Sequence, residues 1–216
     1  SYDDFTYMEN RMDLNFFKGN FTGWLQYEYS DPPELGFPIK DLRKYRVEYS
    51  SGPWSLKFGD MYEVWGRGLV LAQLDDQGID FDNSSRGYLL NYNLKNVSVT
   101  QMSGRTKNAQ LGSDLRYPEF EFTHDMDATN IEFDIYPFNF GLSFLQSNEL
   151  HELKPLGVMD TVDINHRLHG GYISWFGTFA DVFMEYVDKQ SKLRTYYTDF
   201  SGSETEMLSP LKKGSA

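Results

Sequence analysis

Along most of the chain apolar and polar residues alternate one by one, and the alternating runs come in pairs joined by short turns. A period of two marks a strand with one apolar and one polar face. Met12, Leu14 and Phe16 alternate with Arg11, Asp13 and Asn15, and Lys18-Gly19-Asn20 then makes a turn in which glycine takes the positive φ. Phe21, Leu25, Tyr27 and Tyr29 follow against Thr22, Gln26 and Glu28, with Trp24 breaking the polar face. A second pair sets Tyr45, Val47 and Tyr49 against Lys44, Arg46 and Glu48, turns at Ser51-Gly52-Pro53, and returns through Trp54, Leu56 and Phe58. The third runs over Tyr88, Leu90, Tyr92 and Leu94, turns at Lys95-Asn96, and continues through Val97 and Val99. The fourth joins Ile131, Phe133 and Ile135 to Phe140, Leu142 and Phe144 across Pro137-Phe138-Asn139.

The fifth pair, Tyr172 to Phe176 and Ala180 to Asp188, carries a rival pattern. Phe179, Val182, Phe183, Tyr186 and Val187 also fit one face of a helix. A tight turn at Gly177-Thr178 ties the segment to a strand-like partner, so the context predicts a strand.

Connections inside each pair are a few residues long, whereas those between pairs are long and polar: 31–40, 60–86, 103–129 and 147–167. Loops of that length are uncommon in a compact soluble domain. Short turns on one side and long loops on the other are the rule in outer-membrane barrels, whose strands alternate apolar outward and polar inward. The pattern therefore predicts an all-β, antiparallel up-and-down transmembrane β-barrel, with about ten strands in this chain and room for it to be part of a larger barrel. Residues 1–216 read as a single barrel domain or barrel fragment, with 201–216 as an unstructured tail. The first clear strand ends at a tight turn, so an ascending strand is expected before residue 1 and the isolated sheet is expected to keep two unpaired edges.

Composition narrows the alternatives. A formal net charge of -12 without a basic stripe argues against nucleic acid as a partner. Mean hydropathy of -0.55 and the shortness of the apolar runs exclude a helical membrane protein, but a barrel exposes only alternate residues to lipid and escapes that test. The chain has no cysteine, which removes disulfides and thiolate chemistry. It opens on Ser1-Tyr2-Asp3-Asp4, so an outer-membrane location requires that a secretion signal has been removed. Aromatic residues make up 17% of the chain and cluster at strand ends (Phe16, Tyr29, Tyr49, Trp54, Phe144), as membrane-interface girdles require.

One stretch goes beyond rhythm. Arg46-Val47-Glu48-Tyr49, Gly59-Asp60-Met61-Tyr62-Glu63, Trp65-Gly66-Arg67-Gly68-Leu69, Gly78-Ile79-Asp80 and Arg86-Gly87 follow one another in order. From about Tyr7 to Gly104 the chain resembles an uncharacterised family of Gram-negative outer-membrane barrel proteins, in which a Gly-Asp-Phe-Tyr-like strand end runs into a Phe-Gly-Arg-Gly-Leu-like segment. The resemblance implies a barrel and names no substrate.

The same stretch holds the strongest site candidates. Gly66 and Gly68 flank Arg67 and predict unusual backbone angles, hence a loop folded inward to narrow a lumen, with Arg67 attracting anions or pairing with Asp60 or Glu63. Lys44, Arg46 and Glu48 are expected to line that lumen with mixed charge. Asp75, Asp76, Asp80 and Asp82 are weak candidates for calcium, because the loop lacks a Glu at the twelfth position. No other cofactor is expected. The histidines fall in loops or at a strand start, and no Ser, His and acid grouping stands out, so an enzyme is the least expected class. The leading expectation is a pore or transport barrel for small solutes or oligomers, in contact with membrane lipid. Its rivals are a structural barrel docking envelope proteins through its loops, and a soluble aromatic-rich β-sandwich binding carbohydrate.

Overall fold

The computed structural model describes residues 6, 8–31, 38–76, 81–110, 120–153, 160–198, 204–210 and 214–215, and they contain strands and turns but no helix. The strands are β1 (Glu9–Lys18), β2 (Phe21–Ser30), β3 (Lys40–Ser51), β4 (Trp54–Met61), β5 (Asp75–Asp76), β6 (Phe81–Asp82), β7 (Ser85–Leu94), β8 (Val97–Gln110), β9 (Phe120–Ile135), β10 (Phe138–Leu153), β11 (Asp160–Phe176), β12 (Asp181–Thr198), β13 (Glu204–Pro210) and β14 (Gly214–Ser215). One antiparallel sheet has the order β1-β2-β3-β4-β7-β8-β9-β10-β11-β12-β13, with β14 beside β12 and the short β5–β6 pair apart. Each strand of this order pairs with the next in sequence except where β4 passes over β5 and β6 to β7, and β14 pairs with β12 and not with β13. This is an up-and-down meander. Among the described residues β1 pairs only with β2, and β12 pairs with β11, β13 and β14, so the sheet does not close through a β1–β12 ladder.

The tight turns lie at or beside the breaks in alternation, the fourth at Tyr136-Pro137 with Phe138 and Asn139 already in β10, and Gly19 and Gly52 hold φ of 60° and 57° in two of them. Residues 181–188 are strand, not helix, with Ala180 just before it: every residue from Asp181 to Tyr196 has a partner on β11, so the sheet overrides the 3.6-residue pattern. The tail expectation is corrected at 204–210, which pair with 192–198 of β12. Two of the expected long loops are also corrected. Most of 103–129 and 147–167 is strand, because β8 to β12 continue well past their apolar stretch. There the outer face turns polar, so the apolar-outward alternation of the other strands is lost. Asp125, Asp127, Gln146, Asn148 and Arg167 are exposed along it.

Register assigns the faces. One face carries Leu14 and Phe16, Phe21 and Tyr27, Val47 and Tyr49, Trp54 and Phe58, Tyr88 and Leu90, Leu142 and Phe144, Ile173 and Trp175, Val182 and Met184, all well exposed. Cross-strand ring pairs knit it together, such as Phe21–Tyr49 at 4.8 Å and Trp54–Tyr92 at 4.3 Å between centroids. The opposite face carries Gln26, Glu28, Lys44, Ser85, Thr100, Asn130 and Ser143, all buried, around an apolar cluster of Met61, Leu89, Met102, Met126, Leu145 and Val187. A sheet whose polar face is buried and whose apolar face is exposed is curved with the polar face inside. That is the inversion of a soluble sandwich.

Candidate functional site

Residues 62–74 leave β4 and fold across the inner face. Val64 bridges Ala72, Trp65 N–H donates to Leu71 O at 3.0 Å, and Gln73 N–H donates to Glu63 O at 2.9 Å, closing a small loop. Gly66 and Gly68 supply φ of 60° and 93° at its tip, as their spacing predicts. The loop buries Trp65, Val70 and Leu71 against Leu89, Met102, Met126, Leu145 and Val187, and so supplies the apolar centre that a polar inner wall lacks.

The tip reaches β12, six positions away from β4 in the sheet order. The Arg67 backbone N–H donates to Glu185 Oε2 at 2.9 Å, and its guanidinium lies 4.4 Å from the centre of the Phe183 ring. Phe183 stacks on Tyr172, whose hydroxyl donates to Glu132 at 2.8 Å. Gly170 on β11 leaves the room for Val70, since a Cβ there would overlap its side chain. The base of the loop is held by polar links. Lys57 meets Glu63 at 3.1 Å, and Gln73 donates to Ser85, which bonds Thr106 at 2.9 Å.

The expected pairings of Arg67 are corrected. Glu63 is taken by Lys57. Asp60 lies on the outer row with Phe58 and Tyr88, where it accepts from Arg86 at 2.9 and 3.0 Å and from the Tyr45 N–H at 2.7 Å. Asp60 is in step with Leu56 and Phe58 along β4, opposite Arg86 in the register, and Gly59 beside it has φ 107°. It is therefore not a lumen residue. Lys44, Arg46 and Glu48 do stand on the inner face. Arg46 and Glu48 pair with each other at 2.6 Å. A bulge between Gln26 and Tyr27 also lets Arg43 join Arg11 at the Glu28 carboxylate, at 2.6 and 3.2 Å.

Two of the calcium candidates come together, but around a side chain. Asp75 and Asp82 each lie 2.7 Å from the buried Lys44 ammonium, which occupies the place of a cation. Burial alone would raise the Asp82 carboxyl, but the Lys44 bond and the Ser84 backbone N–H outweigh it and hold it below its ordinary value. Asp76 takes part in interactions of its own, and Asp80 lies outside the described residues. Among the described residues no group of three ligating side chains is arranged to hold a metal.

A second cluster was invisible in the sequence. His124, Glu149, His166 and Ser191 share the inner face of four adjacent strands, β9 to β12. His166 bonds Ser191 Oγ through Nδ1 at 2.7 Å and Glu149 Oε2 through Nε2 at 3.2 Å, and His124 Nδ1 is 3.8 Å from the same carboxylate oxygen. A Ser, His and acid row thus exists where none was expected. The only sequence signal that could have found it is strand register, because 25 residues separate His166 from Ser191 and 17 separate it from Glu149.

A family model described as "Family of unknown function (DUF6029)" matches residues 2–213. The chain belongs to this family. No curated protein matches it. The solved structure of the outer-membrane expressed OmpT of Vibrio cholerae is similar over 97% of this chain and 93% of its own, at 10% identity and a TM-score of 0.36. The expectation that the chain is not an enzyme is withdrawn. It rested on the absence of a Ser, His and acid grouping, which the fold supplies, and membership in a family of unknown function leaves the activity class open.

Proposed function

We propose that this DUF6029 member is an outer-membrane barrel wall that encloses a charged passage for small polar solutes, narrowed by the loop 62–74. The observation that carries this is the inverted sheet: an exposed apolar belt outside and a buried, polar wall inside. Along β2 the belt runs from Phe21 to Tyr29, roughly 27 Å at ~3.4 Å per residue, comparable with the ~25 Å apolar band of such barrels once the strands tilt. Exposed apolar area on this scale is not tolerated on a soluble monomer. The polar extensions of β8 to β12 then stand in water beyond the band. Along β1 to β3, Arg11, Asp13, Glu28, Arg43, Arg46 and Glu48 line the inner wall with both signs of charge, which favours hydrated polar solutes over apolar ones.

The test is conductance of the detergent-extracted protein in a planar bilayer. Discrete steps that grow when residues 66–69 are shortened support the passage. A protein that inserts with heat-modifiable migration but never conducts favours a structural barrel, and a monodisperse monomer in plain buffer removes the membrane reading altogether.

A further inference from the structure

We propose that Ser191 is a nucleophile, activated by His166 and Glu149, toward carboxylic esters of apolar acyl groups. The three side chains form one hydrogen-bonded row, Ser191 Oγ to His166 Nδ1 at 2.7 Å and His166 Nε2 to Glu149 Oε2 at 3.2 Å. This is the order of roles that nucleophilic catalysis needs: a base within reach of the hydroxyl, and an acid that orients the base and stabilises its protonated form. Each member sits on a different strand of a rigid sheet, so the geometry does not depend on a loop. All three are partly open to the inner space. The charged groups facing His166 are Glu149, with His124 beyond it, and Lys189, two residues from Ser191 on the same face of β12.

The substrate class comes from the neighbours. Ile164 and Leu193 face each other in register one row beyond His166 and Ser191, and both are half-buried on a wall that is otherwise polar at that height. They offer an acyl chain a place beside the hydroxyl, while Lys189, two residues to the other side on the same face of β12, brings the positive charge that a developing oxyanion needs. The Ser191 Oγ bonds to the ester carbon as its proton passes to His166, and the carbon–oxygen bond to the alcohol breaks as His166 returns that proton to the leaving alcohol. Water then cleaves the acyl-serine by the same proton route.

A fluorophosphonate probe tests this on the full chain folded in detergent micelles, with heat-modifiable migration as the check of folding. The Ser191 Oγ–phosphorus bond forms, fluoride leaves, and peptide mass spectrometry locates the adduct. An adduct on Ser191 that is absent in Ser191→Ala and forms at least about a hundredfold more slowly in His166→Asn is expected. Glu149→Gln, which keeps the size of the side chain, should slow labelling and move its pH profile, which a merely structural role would not do. A folded wild type without label on Ser191, a label on the neighbouring Ser147 instead, or equal rates in wild type and His166→Asn overturns the proposal.

Discussion

Gly59 shows how much a single position decides. A side chain there would meet the carbonyl oxygen of Tyr45 on the neighbouring strand, and the backbone holds a φ of 107° that L residues rarely adopt. This close approach brings the Asp60 carboxylate to the Tyr45 N–H, just where the β3–β4 ladder ends. Gly59→Ala should therefore cost at least about 2 kcal/mol and lower both the yield of assembled protein and its melting temperature in detergent. An unchanged melting temperature would show that the strand end relaxes freely. Asp82 gives a pH signature. Its folded carboxyl lies below the ordinary value, so its link to Lys44 contributes fully above the ordinary carboxylate range near pH ~4 and is lost as the pH falls through the lower folded value. Asp82→Asn should be less stable at neutral pH and lose less on acidification than the wild type, read from melts between pH 7 and pH 3. The glycine spacing and the acidic run were legible in the sequence, but their partners were not, because Tyr45 and Lys44 reach them from another strand.

At the scale of the element, alternation assigned the faces of β1 to β4 and β7 correctly and failed beyond the apolar stretch of β8 to β12. Pairing with a neighbour, and not a pattern of burial, keeps those extensions in strand form. Face assignment has a direct test at the middle of β3. Val47 is exposed on the outer row opposite Phe58, whereas Arg46 is on the inner wall, paired with Glu48 and near the Trp24 ring. Val47→Arg should block membrane assembly, since a lipid-facing arginine at mid-strand costs roughly 2–4 kcal/mol, while Arg46→Ala should assemble and alter only charge selectivity. Equal assembly of the two variants, measured as the heat-modifiable fraction, would reverse the faces.

For the whole molecule, the decisive feature is the contact between the loop tip and β12. It exists only because the sheet curves until its tenth strand in order meets a segment that leaves its fourth. The chain has no cysteine of its own, so a reporter pair can be placed without interference. Arg67→Cys with Glu185→Cys should crosslink in the folded protein and not after heating in detergent, and the crosslinked loop should hold a conductance in its smaller state. Failure to crosslink in folded protein would mean that the loop does not rest on this wall.

The sequence by itself determined the paired strands, the tight turns, the apolar belt and the glycine-flanked tip, because all of these are set by residues within a few positions of one another. The tertiary structure alone decided which carboxylate meets which cation, that residues 204–210 pair with β12, and that Ser191, His166 and Glu149 share a row. Those outcomes depend on register between strands and on the curvature of the whole sheet. A shift of one residue in a ladder would send every side chain of the shifted strand to the other face.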